Sequence, residues 1–196
     1  MQSGSIAFEP ALPPGKVRSI HRVGMGLMDK VLVRFAECFW DPSMGRWGYT
    51  CDERGKWHLV LCDSENCILE CVVGADFAWQ MEGMTDEAVL EDLCTYLRRA
   101  FTGDQPLPPI EGHFISRWGM DPYTRGAYSY LKVGCSPSDF EVLAEPVGSL
   151  FFAGEHTNKE DYASAHGAFI SGEWAADAIS QYLQQECGED RGKGQA

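Results

Sequence analysis

Residues 150–179 read LFFAGEHTNKEDYASAHGAFISGEWAADAI, and the period of the apolar residues changes part-way through. Leu150 to Ala153 is a short apolar run stopped by Gly154, the pattern of a buried strand that ends in a turn. Beyond Ser164, the residues Ala165, Phe169, Gly172, Ala176, Ile179 and Leu183 fall on one side at helical spacing, so a long helix follows. Its mouth carries Ser164, Ala165 and Gly167, small residues that leave backbone N–H groups and the positive dipole end open to an electron-rich ligand. The same residues suit an ordinary strand-to-helix joint, where small side chains merely permit close approach. From Glu186 onward the chain is polar, and a disordered tail is expected over 187–196.

Upstream, the prolines at 10, 13 and 14 end the short apolar start, and Val17, Ile20 and Val23 recur at helical spacing until Gly24 and Gly26 break the helix. Leu27 to Phe35 is rich in β-formers and contains Lys30. Trp47 to Cys51, Trp57 to Cys62 and Ile68 to Val73 follow at meander spacing, which implies an antiparallel sheet. Thr85 can cap a helix with Val89, Leu93, Leu97 and Ala100 on one face, acids in its first turn and Arg98 and Arg99 in its last. Phe114 to Trp118 reads as a further strand, whereas Gly119 to Ser138 holds neither period for long and has the length of a functional loop. The fold class is α+β, with a mixed or antiparallel sheet and a long C-terminal helix. The expected divisions are 1–115, 116–186 and the tail.

The 196 residues are 44% apolar, enough to fill a core. Sixteen basic against 29 acidic residues give a net charge of −13, a balance that repels phosphate backbones and argues against direct nucleic-acid binding. From Ser136 to Asp190 there are eleven acids and one base, Lys159, a bias that suits a cationic partner and equally suits solubility. No apolar run reaches the roughly 20 residues of a membrane helix, and no signal peptide is legible; a soluble intracellular protein of cytoplasm, nucleus or peroxisome is expected. Eight cysteines without a CxxC read as buried thiols rather than disulfides. His58, Cys62, Cys67 and Cys71 could be written as a zinc set, but two facing strands with a turn explain the run, and no metal is expected.

Three motifs in order resemble the FAD-dependent amine oxidases, the family of polyamine oxidases, monoamine oxidases and lysine-specific histone demethylases. Phe152-Ala153-Gly154-Glu155-His156-Thr157 is similar to the family's flavin-phosphate turn, and Tyr162 through Gly172 to its flavin-facing helix start. Arg117-Trp118-Gly119-Met120-Asp121-Pro122-Tyr123-Thr124-Arg125-Gly126-Ala127-Tyr128-Ser129-Tyr130 resembles the loop beside the isoalloxazine. Phe8 to Pro13 and Gly24 to Val31 resemble the stretch with the active-site lysine. The nearest branches are the polyamine oxidase and histone demethylase types.

The resemblance implies FAD and a small cationic amine, oxidised to an imine with hydrogen peroxide as the reduced product of oxygen. It matches Lys30 to the lysine that reaches flavin N5 through a water; a partly buried ammonium can organise that water, although a strand lysine is more often solvated. It matches Tyr128 and Tyr162 to the two aromatic positions around the substrate amine, which rings can hold by cation–π attraction; core packing is the plainer use. Trp118 is expected to pack on the flavin, and Gly154, Ser164 and Ala165 to border it. Glu155 is expected to accept from ribityl or ribose hydroxyls. His156 and His166 read as hydrogen-bonded turn residues rather than general bases, since hydride transfer needs no strong protein base.

The Gly-x-Gly-x-x-Gly turn of a dinucleotide-binding half is missing from the sequence. The chain is therefore expected to match the C-terminal portion of such an oxidase, inactive alone, with an N-terminal dinucleotide-binding half or another chain as partner. The alternative is a non-catalytic amine-binding or interaction module that retains the substrate-domain fold.

Overall fold

The computed structural model describes residues 4, 6–48, 50, 52–103 and 105–193, with side chains of the final helix as far as Gln185. In chain order the elements are α1 (Pro14–Arg22), β1 (Gly24–Gly26), β2 (Met28–Phe35), β3 (Arg46–Gly48), β4 (Leu59–Asp63), β5 (Ile68–Gly74), α2 (Ala75–Glu82), α3 (Asp86–Leu97), β6 (Ile110–Ile115), β7 (Tyr128–Tyr130), α4 (Pro137–Ala144) and α5 (Ala165–Lys193). They fall into two compact units, Gly26–Ala127 and a discontinuous one made of Met1–Met25 with Tyr128–Ala196.

Gly26–Ala127 is built on an antiparallel sheet in the order β3-β4-β5-β2-β6. Strand alternation sends Val31, Val33 and Phe35 of β2 and Leu69, Cys71 and Val73 of β5 to one face, where Phe77, Ala78 and Met81 of α2 and Val89, Leu93 and Leu97 of α3 bury them. Thr85 caps α3 as its sequence implies, its Oγ1 accepting from Ala88 N at 3.3 Å. The helix ends in a π-helical turn over Arg98–Thr102, closed by left-handed Gly103. Trp57 precedes β4 rather than starting it: at φ 41° its backbone leaves the strand, its ring enters the core, and its Nε1 donates to Asp92 Oδ2 at 2.7 Å. Cys51, the expected end of the first meander strand, lies outside the described residues. Helix α2 is too short, at eight residues, for its period to stand out, and Trp79 adds an apolar side chain to the outer face that Asp76 and Gln80 make polar.

In the discontinuous unit, α1 and α4 pack Ile20, Val23, Phe140 and Leu143 into a small second core. Lys16 is buried there, its Nζ donating to Val142 O at 2.7 Å and Leu143 O at 2.8 Å and so satisfying the C-terminal carbonyls of α4. Burial pushes this ammonium down, with Glu145 opposing. Ser19 Oγ donates to Asp139 Oδ1 at 2.7 Å, and Asp139 in turn accepts from Ser136 N at 2.9 Å in the capping box of α4. One sequence expectation is corrected here. Leu150–Ala153 forms no strand; only a bridge between Val147 and Leu150 is made, and Leu150 is 39% exposed, because no described strand lies beside this segment to complete its hydrogen bonds. Helix α5 runs from Ala165 to Lys193.

Candidate functional site

Within Gly26–Ala127, the alternation of β2 separates two neighbours. Lys30 stands on the face away from α2 and α3, its Nζ 2.6 Å from Glu70 Oε1 and its side chain 44% exposed. Such a half-exposed pair contributes only about 0–1 kcal/mol, so it directs the ammonium more than it stabilises the sheet. Asp29 points the other way and is fully buried. Its Oδ1 accepts from Ser116 Oγ at 2.7 Å and from Trp118 N at 3.2 Å. Ser116 N also donates to Lys30 O, and Lys30 N to Ser116 Oγ. These bonds take the chain out of β6 at Ile115, three residues before the expected end at Trp118. Trp118 O then accepts from Thr124 Oγ1 at 2.7 Å and Gly126 N at 3.0 Å. The result is a Trp118 indole 45% exposed on a backbone tied at both ends.

The 154–167 segment of the other unit is equally constrained. Gly154 has φ 136°, and a Cβ there would lie 2.6 Å from the His156 ring, so only glycine fits. Glu155 is engaged by the protein: Oε1 accepts from Ser129 N at 2.9 Å, and Oε2 from Ser129 Oγ and Ala163 N, both at 2.6 Å. The carboxylate thus clasps β7 to the turn before α5, a use the sequence does not announce. Ala163 is left-handed at φ 58°. Ser164 caps α5, donating to Asp161 O at 2.5 Å and accepting from Gly167 N at 3.0 Å. Ala165 and His166 begin the helix before any intrahelical carbonyl is available to their N–H groups, and Ala163 and Ala165 are exposed. This mouth, small and electropositive, fits the edge of an electron-rich ring.

Of the aromatic candidates, Tyr162 lies against Phe140 with ring centroids 5.0 Å apart, and Tyr128 is half-buried at the start of β7. Burial pushes the His156 imidazole below the ordinary histidine range, with Glu155 opposing. His166 Nε2 sits 3.3 Å from Asp161 Oδ1 at the surface. The residue groups are therefore Lys30 and Trp118 in one unit, and Tyr128, Gly154, Glu155, Tyr162, Ser164 and Ala165 in the other. Sequence reasoning gave no role to Asp29, Glu82, Arg117 or Ser129. Asp29 carried a signal, being an acid at an inward position between Leu27 and Val31.

A model of the flavin containing amine oxidoreductases matches residues 1–180. The chain belongs to that family. Its relatives include a possible lysine-specific histone demethylase 1 of Drosophila melanogaster, 36% identical, with 92% of this chain and 22% of the relative covered. Polyamine oxidase 5 of Oryza sativa subsp. japonica is 33% identical over 96% of this chain and 38% of its own length. The peroxisomal N(1)-acetyl-spermine/spermidine oxidase of Bos taurus is 34% identical over 88% of this chain and 38% of its own length. The chain thus spans well under half the length of these relatives. In fold it is similar to cyclohexylamine oxidase from Brevibacterium oxydans IH-35A, with a TM-score of 0.73, 22% identity, and coverage of 93% of this chain and 41% of the other. The family is flavin-containing, with FAD as cofactor. Among the described residues no helix is long and apolar enough to cross a membrane.

Proposed function

We propose that this chain contributes the amine-binding and flavin-facing surfaces of an FAD-dependent oxidase acting on a polyamine or an N-methyl-lysine. Bound FAD supplies the two-electron chemistry that turns amine to imine and ends in hydrogen peroxide. The helix mouth at Ser164 and Ala165, with the Gly154 turn, borders the cofactor and offers it N–H groups. Trp118 lays its exposed indole against it. Tyr128 and Tyr162 receive the substrate amine between aromatic faces and exclude water. Lys30, directed by Glu70, holds a water at the cofactor. Glu155 keeps β7 and the α5 mouth in register and retains acceptor capacity for a ribityl or ribose hydroxyl. The observation that carries this reading is the α5 mouth, where a left-handed alanine, a serine cap and exposed small residues leave the helix start open.

Most of the energy that anchors a dinucleotide comes from its pyrophosphate and adenosine, which a Gly-rich turn supplies. The chain alone is therefore expected to retain no FAD on gel filtration and to release no peroxide from spermine, acetylated spermine or a methyl-lysine peptide. Supplying the dinucleotide-binding domain of a related polyamine oxidase should restore both. FAD-dependent turnover by the chain alone that is lost in Tyr162→Ala overturns the need for that domain. Amine binding that is indifferent to flavin, with no turnover in either preparation, favours the non-catalytic amine-binding module.

A further inference from the structure

Asp29 and Glu82 form a buried acidic pair with no assigned purpose. Asp29 Oδ1 is satisfied by Ser116 and Trp118, but the buried Oδ2 has no donor. Glu82, the last residue of α2 and 7% exposed, accepts from Gly119 N at 2.6 Å through Oε1, the amide next to the Trp118 N–H that donates to Asp29, so the two carboxyls grip consecutive N–H groups of one turn. The fit is close: a Cβ on Gly119 would lie 2.8 Å from Glu82 Oε2 and 2.9 Å from the Trp79 ring. The charges around the pair are committed elsewhere. Arg117 donates to Met81 O, Glu82 O and Asp86 Oδ1; His113 faces Asp86 at 3.5 Å; Lys30 is on the opposite face of β2 with Glu70. Among the described residues no cation pairs with either carboxyl.

Two carboxylates meeting out of water repel, and an orphaned buried oxygen is costly; one proton between them relieves both. We propose that Asp29 and Glu82 hold one proton in common, and that this proton latches the Trp118–Gly119 turn onto the end of α2. Burial pushes the Glu82 carboxyl above the ordinary glutamate range; the Asp29 charge acts in the same direction, and the Gly119 and Met120 N–H groups oppose. A raised carboxyl contributes stability that is present below the unfolded-state value and lost as pH rises through the folded-state value. The latch is therefore closed in acid and opens as pH rises, freeing Trp118 from its seat. Its consequence for amine oxidation rests on the reading of Trp118 as a cofactor-facing residue; the latch itself does not.

The test is an NMR titration of the isotopically labelled 196-residue chain over about pH 4–9, following the Glu82 carboxyl carbon and the exchange protection of the Gly119 amide, corrected for intrinsic exchange. The expected result is a one-proton titration above the ordinary glutamate range, with Gly119 protection falling at least tenfold through it. Asp29→Asn supplies a permanent N–H in place of the proton and should flatten the profile. Glu82→Gln does so from the other side and serves if the first variant is misfolded. Glu82 titrating in its ordinary range, unchanged Gly119 protection in the unmodified chain, or the same fall in a folded amide variant overturns the proposal. No readout requires FAD, amine or turnover, so failure of the catalytic reading leaves the result interpretable.

Discussion

Asp29 and Lys30 are adjacent in the chain and opposite in environment, one sealed under α2 and the other half in solvent. Substitutions at the two should therefore fail differently. In enzyme reconstituted with a dinucleotide-binding domain, Lys30→Met is expected to slow turnover by on the order of 100-fold while FAD stays bound, as for a group that manages a water or proton; stopped-flow absorbance with a cofactor count checks this. Release of the cofactor would show that the ammonium does something else. Glu155→Ala should instead destabilise the fold by about 1.5–3 kcal/mol, because the Ser129 and Ala163 donors lose a charged acceptor. Urea unfolding measures it. A Glu155→Ala protein of unchanged stability would return the carboxylate to the ligand-binding role its sequence motif implies.

The turn between α2 and α3 depends on one guanidinium. Arg117 takes the last carbonyls of α2 and, through Asp86 at 2.6 Å, the first turn of α3. Hydrogen bonding to Arg117 holds the Asp86 carboxyl below the ordinary aspartate range, with its charge and His113 assisting and desolvation opposing. A lowered carboxyl contributes stability that is present above the unfolded-state value and lost as pH falls through the folded-state value. Arg117→Ala should thus flatten the acid side of the stability profile and cost about 1–3 kcal/mol at neutral pH, read by denaturant titrations at several pH values. Leu93→Ala in α3 should cost about 2–5 kcal/mol at any pH, since it opens a void under the sheet. The strands from β2 to β5, the Thr85 cap and α1 were legible because each satisfies a local rule of period or capping. Helix α2 was not, being only eight residues long with Trp79 among the polar residues of its outer side, and α4 begins at Pro137, where the stretch read as loop ends, in residues to which no element was assigned. The expected strand at Leu150 had the right residues and no partner, which no local pattern reveals. The motif positions around Gly154 and Ser164 were legible by resemblance, but the Glu155 clasp depends on Ser129, 26 residues away.

Across the whole chain, α5 leaves Phe169, Ile179 and Leu183, which share one face, at 69%, 38% and 55% exposure. An apolar helix face of this kind promotes association, which the net charge of −13 opposes through repulsion that salt screens. Light scattering of the chain should therefore show association that grows with salt, and Phe169→Ser with Leu183→Gln should reduce it; a monomer at all salt concentrations would mean that this face is inert. The discontinuous unit has a further consequence during synthesis. Its first segment ends at Met25 and its second starts at Tyr128, so all of Gly26–Ala127 is translated between them. At about 5–20 residues per second, Ile20 and Val23 leave the ribosome on the order of 5–20 s before Phe140 and Leu143 emerge to cover them. The inserted unit can fold in that interval, whereas the α1 segment stays on the nascent chain with its one apolar stripe, Ile20 and Val23, uncovered, a natural point of attachment for a chaperone.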